Sequence, residues 1–170
     1  MTDRTATRDA LFAAAAADLG HGFDGELRIG GNYTPAVRHG DVVYVSGQIP
    51  RIGDTVAVIG RVGVEASLDE GRRAARICAM RALALLRQTL GSLDAIERIL
   101  RMTVYVRSAP DFTRQSEVGD SASDVLQAVL GDAGVHSRTS IGVLQLPKGA
   151  AVEVDLIAAA IPSGTAPSRT

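Results

Sequence analysis

The sequence is poor in the residues that often reinforce small folds. It has no Trp, one Cys, one Lys and only 4% aromatic residues. A single cysteine excludes an intrachain disulfide and favours a reducing compartment. No stretch approaches the roughly 20 apolar residues of a membrane-spanning helix. The Ala-rich segment near the N-terminus is too short and too weakly hydrophobic for an export signal. We therefore expect a cytoplasmic protein.

Charge and potential metal ligands exclude further classes of function. The 18 basic and 19 acidic residues give a formal net charge of −1, which provides no long-range attraction for nucleic acid or an anionic membrane. His21, His39 and His136 are scattered, without H-x-H or H-E-x-x-H spacing. The sequence also lacks a P-loop, a G-x-G-x-x-G motif and a G-x-S-x-G nucleophile elbow. We expect no metal, no cofactor, no membrane contact and no nucleic-acid partner.

Composition divides the chain into three parts. Apolar residues make up 46% of the 170 residues, enough for one core of Val, Leu, Ile and Ala. Residues 1–32 read as an N-terminal extension with a short Ala-rich helix and a Gly-rich loop, and residues 33–161 as the folded domain. Residues 162–170 are weakly hydrophobic, which predicts a disordered tail. We expect residues 1–20 to be dispensable for folding, because their composition offers little to bury.

Periodicity within the domain predicts two helices and five strands. Ser67 and Glu70 form a capping box for a helix that ends at Gly91, with Cys78 on its apolar stripe as a core residue. A second helix is expected from residue 108 to about residue 130. The strands are expected at residues 41–46, 55–60, 100–107, 137–146 and 150–160.

These elements predict an α/β (α+β) fold of order β-β-α-β-α-β-β, with two helices packed on one face of a mixed sheet. In strand 100–107, alternation places Leu100, Met102, Val104 and Val106 on one face. The last strand carries Ile157 and Ala159 on the face away from the helices. Because these residues are apolar or small, we expect that face to be covered by a partner.

Several short motifs occur in a characteristic order. Residues 45–50 read V-S-G-Q-I-P, residues 137–143 read S-R-T-S-I-G-V, and L-P-K and V-E-V follow at 146–148 and 152–154. In these motifs the chain resembles the Rid (reactive intermediate deaminase, YjgF-like) family, over about residues 33–160. It looks like a longer subgroup with an N-terminal extension.

The resemblance implies a chorismate-mutase-like fold and a homotrimer. The three sheets would form a central barrel, with ligand clefts between subunits. Archetypal members hydrolyse 2-imino acids and their enamine tautomers to 2-keto acids and ammonia, without metal or cofactor. Related proteins have also been described as translation inhibitors or endoribonucleases. The implied partner is a small carboxylate-bearing metabolite, an imino or keto acid.

The resemblance also implies two catalytic residues. Arg138 falls on the family arginine that grips the substrate carboxylate, a role that suits a guanidinium because it forms a bidentate fork and stays charged. Glu153 falls on the family glutamate that orients the attacking water. The residues alone leave a plainer interpretation open for each, because Arg138 can be solvated or paired locally and Glu153 can belong to the polar face of a half-buried strand.

The remaining implied site residues bind substrate. Tyr33 falls on the tyrosine that closes the cleft and Ser46 on the serine of the S-G-Q motif. The backbones of Gly47, Thr139 and Ser140 would line the pocket.

Two positions depart from the family pattern. Ser140 replaces a frequent cysteine and Ser116 replaces a cleft asparagine, so the preferred substrate or the deaminase activity can differ. Two alternatives therefore stay open: a non-catalytic trimer that binds a carboxylate metabolite, and an RNA-cleaving enzyme.

Overall fold

The computed structural model describes residues 7–27 and 29–162. Its central element is a mixed five-stranded sheet. The strands are β1 (Ala36–His39), β2 (Val42–Gln48), β5 (Ile96–Arg107), β6 (Ser137–Val143) and β7 (Val152–Ala160), in the spatial order β1-β2-β7-β5-β6. Strands β5 and β6 are parallel, and the other neighbouring pairs are antiparallel. A separate small hairpin consists of β3 (Arg51–Ile52) and β4 (Thr55–Val56).

Helices α2 (Leu68–Leu90) and α3 (Gln115–Leu130) pack against each other and against one face of the sheet. The predicted capping box is present: the backbone N–H of Ser67 donates to Glu70 Oε2 at 2.7 Å and the N–H of Glu70 donates to Ser67 Oγ at 3.1 Å. Helix α2 ends at Gly91, whose φ of 87° lies in the left-handed region that favours glycine. The predicted fold class is confirmed.

Strand β7 shows how the two faces of the sheet differ. Val152 and Val154 are fully buried beneath the helices, whereas Glu153 and Asp155 alternate with them on the opposite, half-buried face. We call this second face the open face. Cys78 is fully buried on α2, with its thiol 3.7 Å from the carbonyl of Val152, so its predicted place in the core is confirmed.

Several predicted boundaries differ from the structure. Strand β1 was not predicted, and the region expected as strand 55–60 has regular pairing only in Thr55–Val56. Helix α3 begins at Gln115, after a turn in which the N–H of Phe112 donates to the carbonyl of Ala109. Leu100 was expected on the buried face but is 40% exposed, because a β-bulge between Ile99 and Arg101 shifts the alternation.

The N-terminal extension contains a third helix, α1 (Arg8–Asp18), that packs against α3. Phe12 on α1 and Phe23 in the following loop are both buried and meet edge to face, with ring centroids 6.4 Å apart. The guanidinium of Arg8 donates to the carbonyl of Ile96 at 2.6 Å. The described part of the extension therefore buries more than its composition suggested, and the dispensability of residues 1–20 for folding stays a prediction. Of the tail predicted at 162–170, residues 163–170 lie outside the described residues.

Candidate functional site

A cavity of about 380 Å³ lies where β2 ends beside the first residues of β7. Small-molecule sites usually enclose roughly 300–1,000 Å³. Ile49 and Pro147 contribute apolar walls, and Tyr33 and Glu153 contribute polar groups. Tyr33 is 47% exposed, which places it at the rim. We call this space the Glu153 cavity.

Glu153 is the only carboxylate among the described residues that line the cavity. Burial raises the pKa of its carboxyl above the ordinary value, and the negative charge of Asp155 on the same face raises it further. Asp155 in turn accepts a hydrogen bond from the hydroxyl of Tyr105 at 3.0 Å. A carboxyl whose pKa is raised from its usual acidic range is better matched to proton exchange with water, which general base catalysis requires.

The absence of a side chain at Gly47 gives the Glu153 carboxylate its space. A Cβ at position 47 would lie 1.8 Å from Glu153 Oε1 and 2.7 Å from its Cδ. The register between β2 and β7 shifts between Val45 and Gln48, so Gly47 lies in an irregular strand end. The buried amide of Gln48 donates to the carbonyl of Ser46 at 3.1 Å and to Ser46 Oγ at 3.2 Å. Ser46 thus supports the strand end beside the cavity, whereas Gly47 lines it.

Three cations also line the cavity, and none of them was among the predicted site residues. Arg81 lies in the buried part of α2 and is only 4% exposed, and Arg51 in β3 is 7% exposed. Arg81 Nη1 donates to the backbone carbonyl of Arg51 at 3.1 Å, which fixes the two residues relative to each other. Lys148 lies in the turn between β6 and β7, with a φ of 57° that is uncommon for a residue with a side chain. One sequence signal existed, because Arg81 interrupts the otherwise apolar run from Ile77 to Leu86.

Arg138 lies in a different environment, next to α3. Its Nη2 donates to Asp120 Oδ1 at 2.8 Å and to the carbonyl of Ser116 at 3.2 Å, and its Nη1 donates to Ser123 Oγ at 2.8 Å. These bonds use three of the five N–H donors of a guanidinium. Arg138, Ser116, Asp120 and Ser123 form what we call the Arg138 cluster. In this cluster the arginine is already paired with a carboxylate of its own chain.

Close packing against α3 shapes the Arg138 cluster. A Cβ at Gly119 would lie 2.4 Å from Ser140 Oγ and 3.1 Å from Arg138 Cζ, so only glycine leaves room for both side chains. Ser140 Oγ is buried and has no hydrogen-bond partner within the described part of the chain. Ser116 is exposed and contributes its backbone carbonyl. Thr139, one residue along β6, accepts a hydrogen bond from Arg101 at 2.8 Å instead.

The predicted site residues therefore form two groups on opposite faces of the sheet. Arg138 is paired in register with Met102, which is fully buried beneath the helices. Glu153 is paired with Tyr105, on the open face. Because neighbouring residues in register point to the same face, one chain does not bring Arg138 and Glu153 into one cavity.

Within residues 7–27 and 29–162, no group of three or more His, Cys, Asp or Glu side chains is placed to hold a metal ion. Over the same residues, no helix is both long enough and apolar enough to cross a membrane.

Comparisons with known proteins agree on one family. The family described as Endoribonuclease L-PSP matches residues 25–160. Protein TCP17 of Trypanosoma cruzi is 41% identical over 127 residues, which cover 74% of this chain and 79% of that protein. A solved structure of a protein of unknown function from Agrobacterium tumefaciens is 34% identical, with a TM-score of 0.81 over 91% of this chain and 95% of that one. A proposed endoribonuclease from Shewanella oneidensis is 27% identical, with a TM-score of 0.82 over 91% and 99% of the two chains.

More distant structures share the fold. The YjgF gene product of Escherichia coli is 21% identical, with a TM-score of 0.57 over 82% of this chain and 95% of that one. Escherichia coli TdcF, solved with bound serine, is also 21% identical, with a TM-score of 0.54 over the same shares. The family match and the 41% identical relative decide the assignment. This chain belongs to the endoribonuclease L-PSP family, the Rid (YjgF-like) family that its motifs resemble.

Proposed function

We propose that the protein hydrolyses 2-imino acids and their enamine tautomers to 2-keto acids and ammonia, at a cleft shared between subunits. The observation that carries this proposal is the Glu153 carboxyl, half-buried in a cavity of about 380 Å³, with a pKa raised by burial. Its position against Gly47 leaves the carboxylate free of a covering side chain at that point.

The proposed reaction needs one carboxylate and one carboxylate-binding cation. Water adds to the C=N carbon as Glu153 accepts a proton from it, and the π electron pair of the C=N bond moves to nitrogen. Glu153 returns that proton to the nitrogen, which gives the neutral carbinolamine. Glu153 then accepts the proton of the carbinolamine hydroxyl as the C=O bond forms and passes it to the nitrogen, which leaves as ammonia. Positioning supplies a large part of the rate in such a reaction.

A homotrimer would bring the two groups of site residues together. In our proposal, Arg138 of one subunit holds the substrate carboxylate beside the Glu153 cavity of the next. The position of Arg138 on edge strand β6 supports this arrangement, as do exposed apolar side chains on the sheet such as Tyr44 (52% exposed) and Ile141 (42% exposed). Light scattering at micromolar concentration should give about three times 17.7 kDa. A monomer would contradict the shared cleft.

The activity is tested by generating imines in the cuvette with an amino-acid oxidase and following keto acid and ammonia release. We expect the protein to accelerate release, and Glu153→Gln to abolish most of that acceleration. Glu97→Gln is the matched control, because it removes an exposed carboxylate from β5. No acceleration with imines from several amino acids would contradict the proposal.

Two alternatives have specific support. The serine bound to Escherichia coli TdcF favours a trimer that binds a small carboxylate ligand without turnover. Stabilisation of the fold by 2-keto acids without imine hydrolysis would identify this function.

The second alternative is ribonuclease activity, because the family description names an endoribonuclease. Ribonuclease activity that stays with the trimer through purification, and is lost in Arg138→Ala, would favour that function. Activity that persists in Arg138→Ala would instead indicate contamination.

A further inference from the structure

The walls of the Glu153 cavity carry more positive charge than binding one carboxylate requires. Of the described residues that line it, Arg51, Arg81 and Lys148 are cationic and Glu153 alone is acidic. Arg138, the predicted carboxylate clamp, belongs to a different cluster on the helix side of the sheet. The cavity therefore has its own cations in addition to the one that our proposed mechanism uses.

The two arginines are held in place rather than free to turn into solvent. Both are at least nine-tenths buried, and the hydrogen bond from Arg81 Nη1 to the Arg51 carbonyl ties the middle of α2 to β3. Burial and the neighbouring charge of Arg51 both lower the pKa of Arg81. The charged form of Arg81 is therefore less stable beside Arg51 than it would be without that neighbour. An anion placed in the cavity would offset this repulsion.

Lys148 supplies an independent observation. It is the only residue other than glycine with a positive φ in the described part of the chain. A side chain in this region costs free energy, and such residues cluster at ligand-binding sites. The turn that imposes this backbone conformation also brings Lys148 to the same cavity as Arg51 and Arg81.

We propose that Arg51, Arg81 and Lys148 form a second anion-binding subsite, so that the preferred ligand is a dianion: a 2-imino or 2-keto acid with a second carboxylate on its side chain. The inference rests on the proposed function for the identity of the first carboxylate site. Arginine suits the second site because its planar guanidinium binds carboxylates through paired hydrogen bonds.

The test compares two ligands that differ at one end. 2-Oxoglutarate and 2-oxopentanoate have the same five-carbon chain, which ends in a carboxylate in the first and a methyl group in the second. Calorimetry on the full-length protein should give about 10- to 100-fold tighter binding of 2-oxoglutarate. Equal affinities, or no binding of 2-oxoglutarate, would overturn the proposal.

Variants locate the preference. Arg51→Gln and Arg81→Gln should each reduce the preference for 2-oxoglutarate by about 10-fold or more, and leave 2-oxopentanoate binding nearly unchanged. Lys148→Asn removes a charge from an exposed residue while tolerating the left-handed backbone, so it provides a test that does not depend on a buried arginine. Arg76→Gln, on the same helix but outside the cavity, should keep the full preference. A preference that survives in Lys148→Asn and in a folded Arg81→Gln would overturn the assignment.

Turnover separates this inference from the proposed function. If imines are hydrolysed but the dicarboxylate is not preferred, the subsite is wrong and the activity stands. If the dicarboxylate binds preferentially and no imine is hydrolysed, the subsite stands and the activity is wrong.

Discussion

The charged side chains of the Glu153 cavity and of the Arg138 cluster have different surroundings. In the Arg138 cluster the guanidinium binds Asp120, Ser123 and a backbone carbonyl of the same chain, so its orientation is set before any ligand arrives. In the Glu153 cavity a carboxyl with a raised pKa shares about 380 Å³ with three cations. The Arg138 cluster is therefore preorganised to bind a ligand. The Glu153 cavity is suited to binding an anion and to transferring a proton. Substitutions in the two regions should therefore affect different quantities, turnover in the cavity and affinity in the cluster.

The largest expected effect concerns turnover in the Glu153 cavity. Glu153→Gln keeps the shape of the side chain but cannot accept a proton, so imine hydrolysis should fall by about 10²–10⁴-fold. Affinity for a 2-keto acid, measured by calorimetry, should stay within a few fold of the parent. An unchanged hydrolysis rate would mean that Glu153 is a polar residue of a strand face, and the cavity would then lose its catalytic role.

Gly47→Ala tests whether the position of the carboxylate matters as much as its presence. The added Cβ would overlap Glu153 Oε1 and force the carboxylate to move. A displacement of about 1 Å can cost about 10²-fold in rate, and we expect a loss of this order in imine hydrolysis. Gly22→Ala is the control, because a Cβ there meets no atom within 4 Å. Full activity in Gly47→Ala would show that the reaction does not require the observed carboxylate position.

The Arg138 cluster should respond in affinity. Arg138→Ala removes a charge-assisted contact of roughly 1.5–3 kcal/mol, or about 10- to 100-fold in 2-keto acid affinity. Arg138→Lys should restore only part of the loss, because an ammonium keeps the charge without the fork. Calorimetry on these two variants and on the exposed control Arg98→Ala distinguishes the outcomes. If Arg138→Ala binds as tightly as the parent, the bonds to Asp120 and Ser123 are purely structural and the carboxylate clamp lies elsewhere.

The smallest effect is on stability as a function of pH. The pKa of Glu153 is raised from its ordinary value of 4.5 in the folded protein. Between the unfolded and folded pKa values the folded state binds more protons, so the contribution of Glu153 to stability falls as pH rises through that window. The glutamine side chain introduced by Glu153→Gln does not titrate, so it contributes no pH dependence to the stability. The melting temperature of this variant relative to the parent should therefore rise as the pH increases above about 4.5, and a difference that stays constant with pH would contradict the raised pKa of Glu153.

Much of the fold could be predicted from local patterns. The capping box at Ser67, the glycine after Leu90 and the alternation in β7 are set by neighbouring residues, and each was correctly interpreted. The bulges in β5 could not be predicted in this way, because one extra residue in a strand changes which side chains are buried without changing the composition. The packing of α1 was hidden for a related reason: Phe12 and Phe23 are isolated in sequence and acquire their contacts only in the folded chain.

The candidate site shows the same limit. Motifs placed Glu153 and Gly47 in one region, and the structure brings them into contact distance. The motifs did not show that Arg138 lies on the other face, because both sides of β6 carry polar or small residues and its burial pattern has no clear alternation. The approach of Arg51 to Arg81 joins positions far apart in sequence, so only tertiary structure reveals it. Whether the predicted residues act together stays a prediction that the variants above test.

Cys78 provides a built-in probe of motion in this region. Its thiol is fully buried against Val152, one residue before Glu153, and burial raises its pKa well above the ordinary value. A thiol reagent can therefore react only when α2 separates from β7, and the labelling rate reports the free energy of that local opening. The protein contains no other cysteine. Ligand binding in the neighbouring cavity would thus be visible as slower labelling of one residue, without any added fluorophore or second substitution.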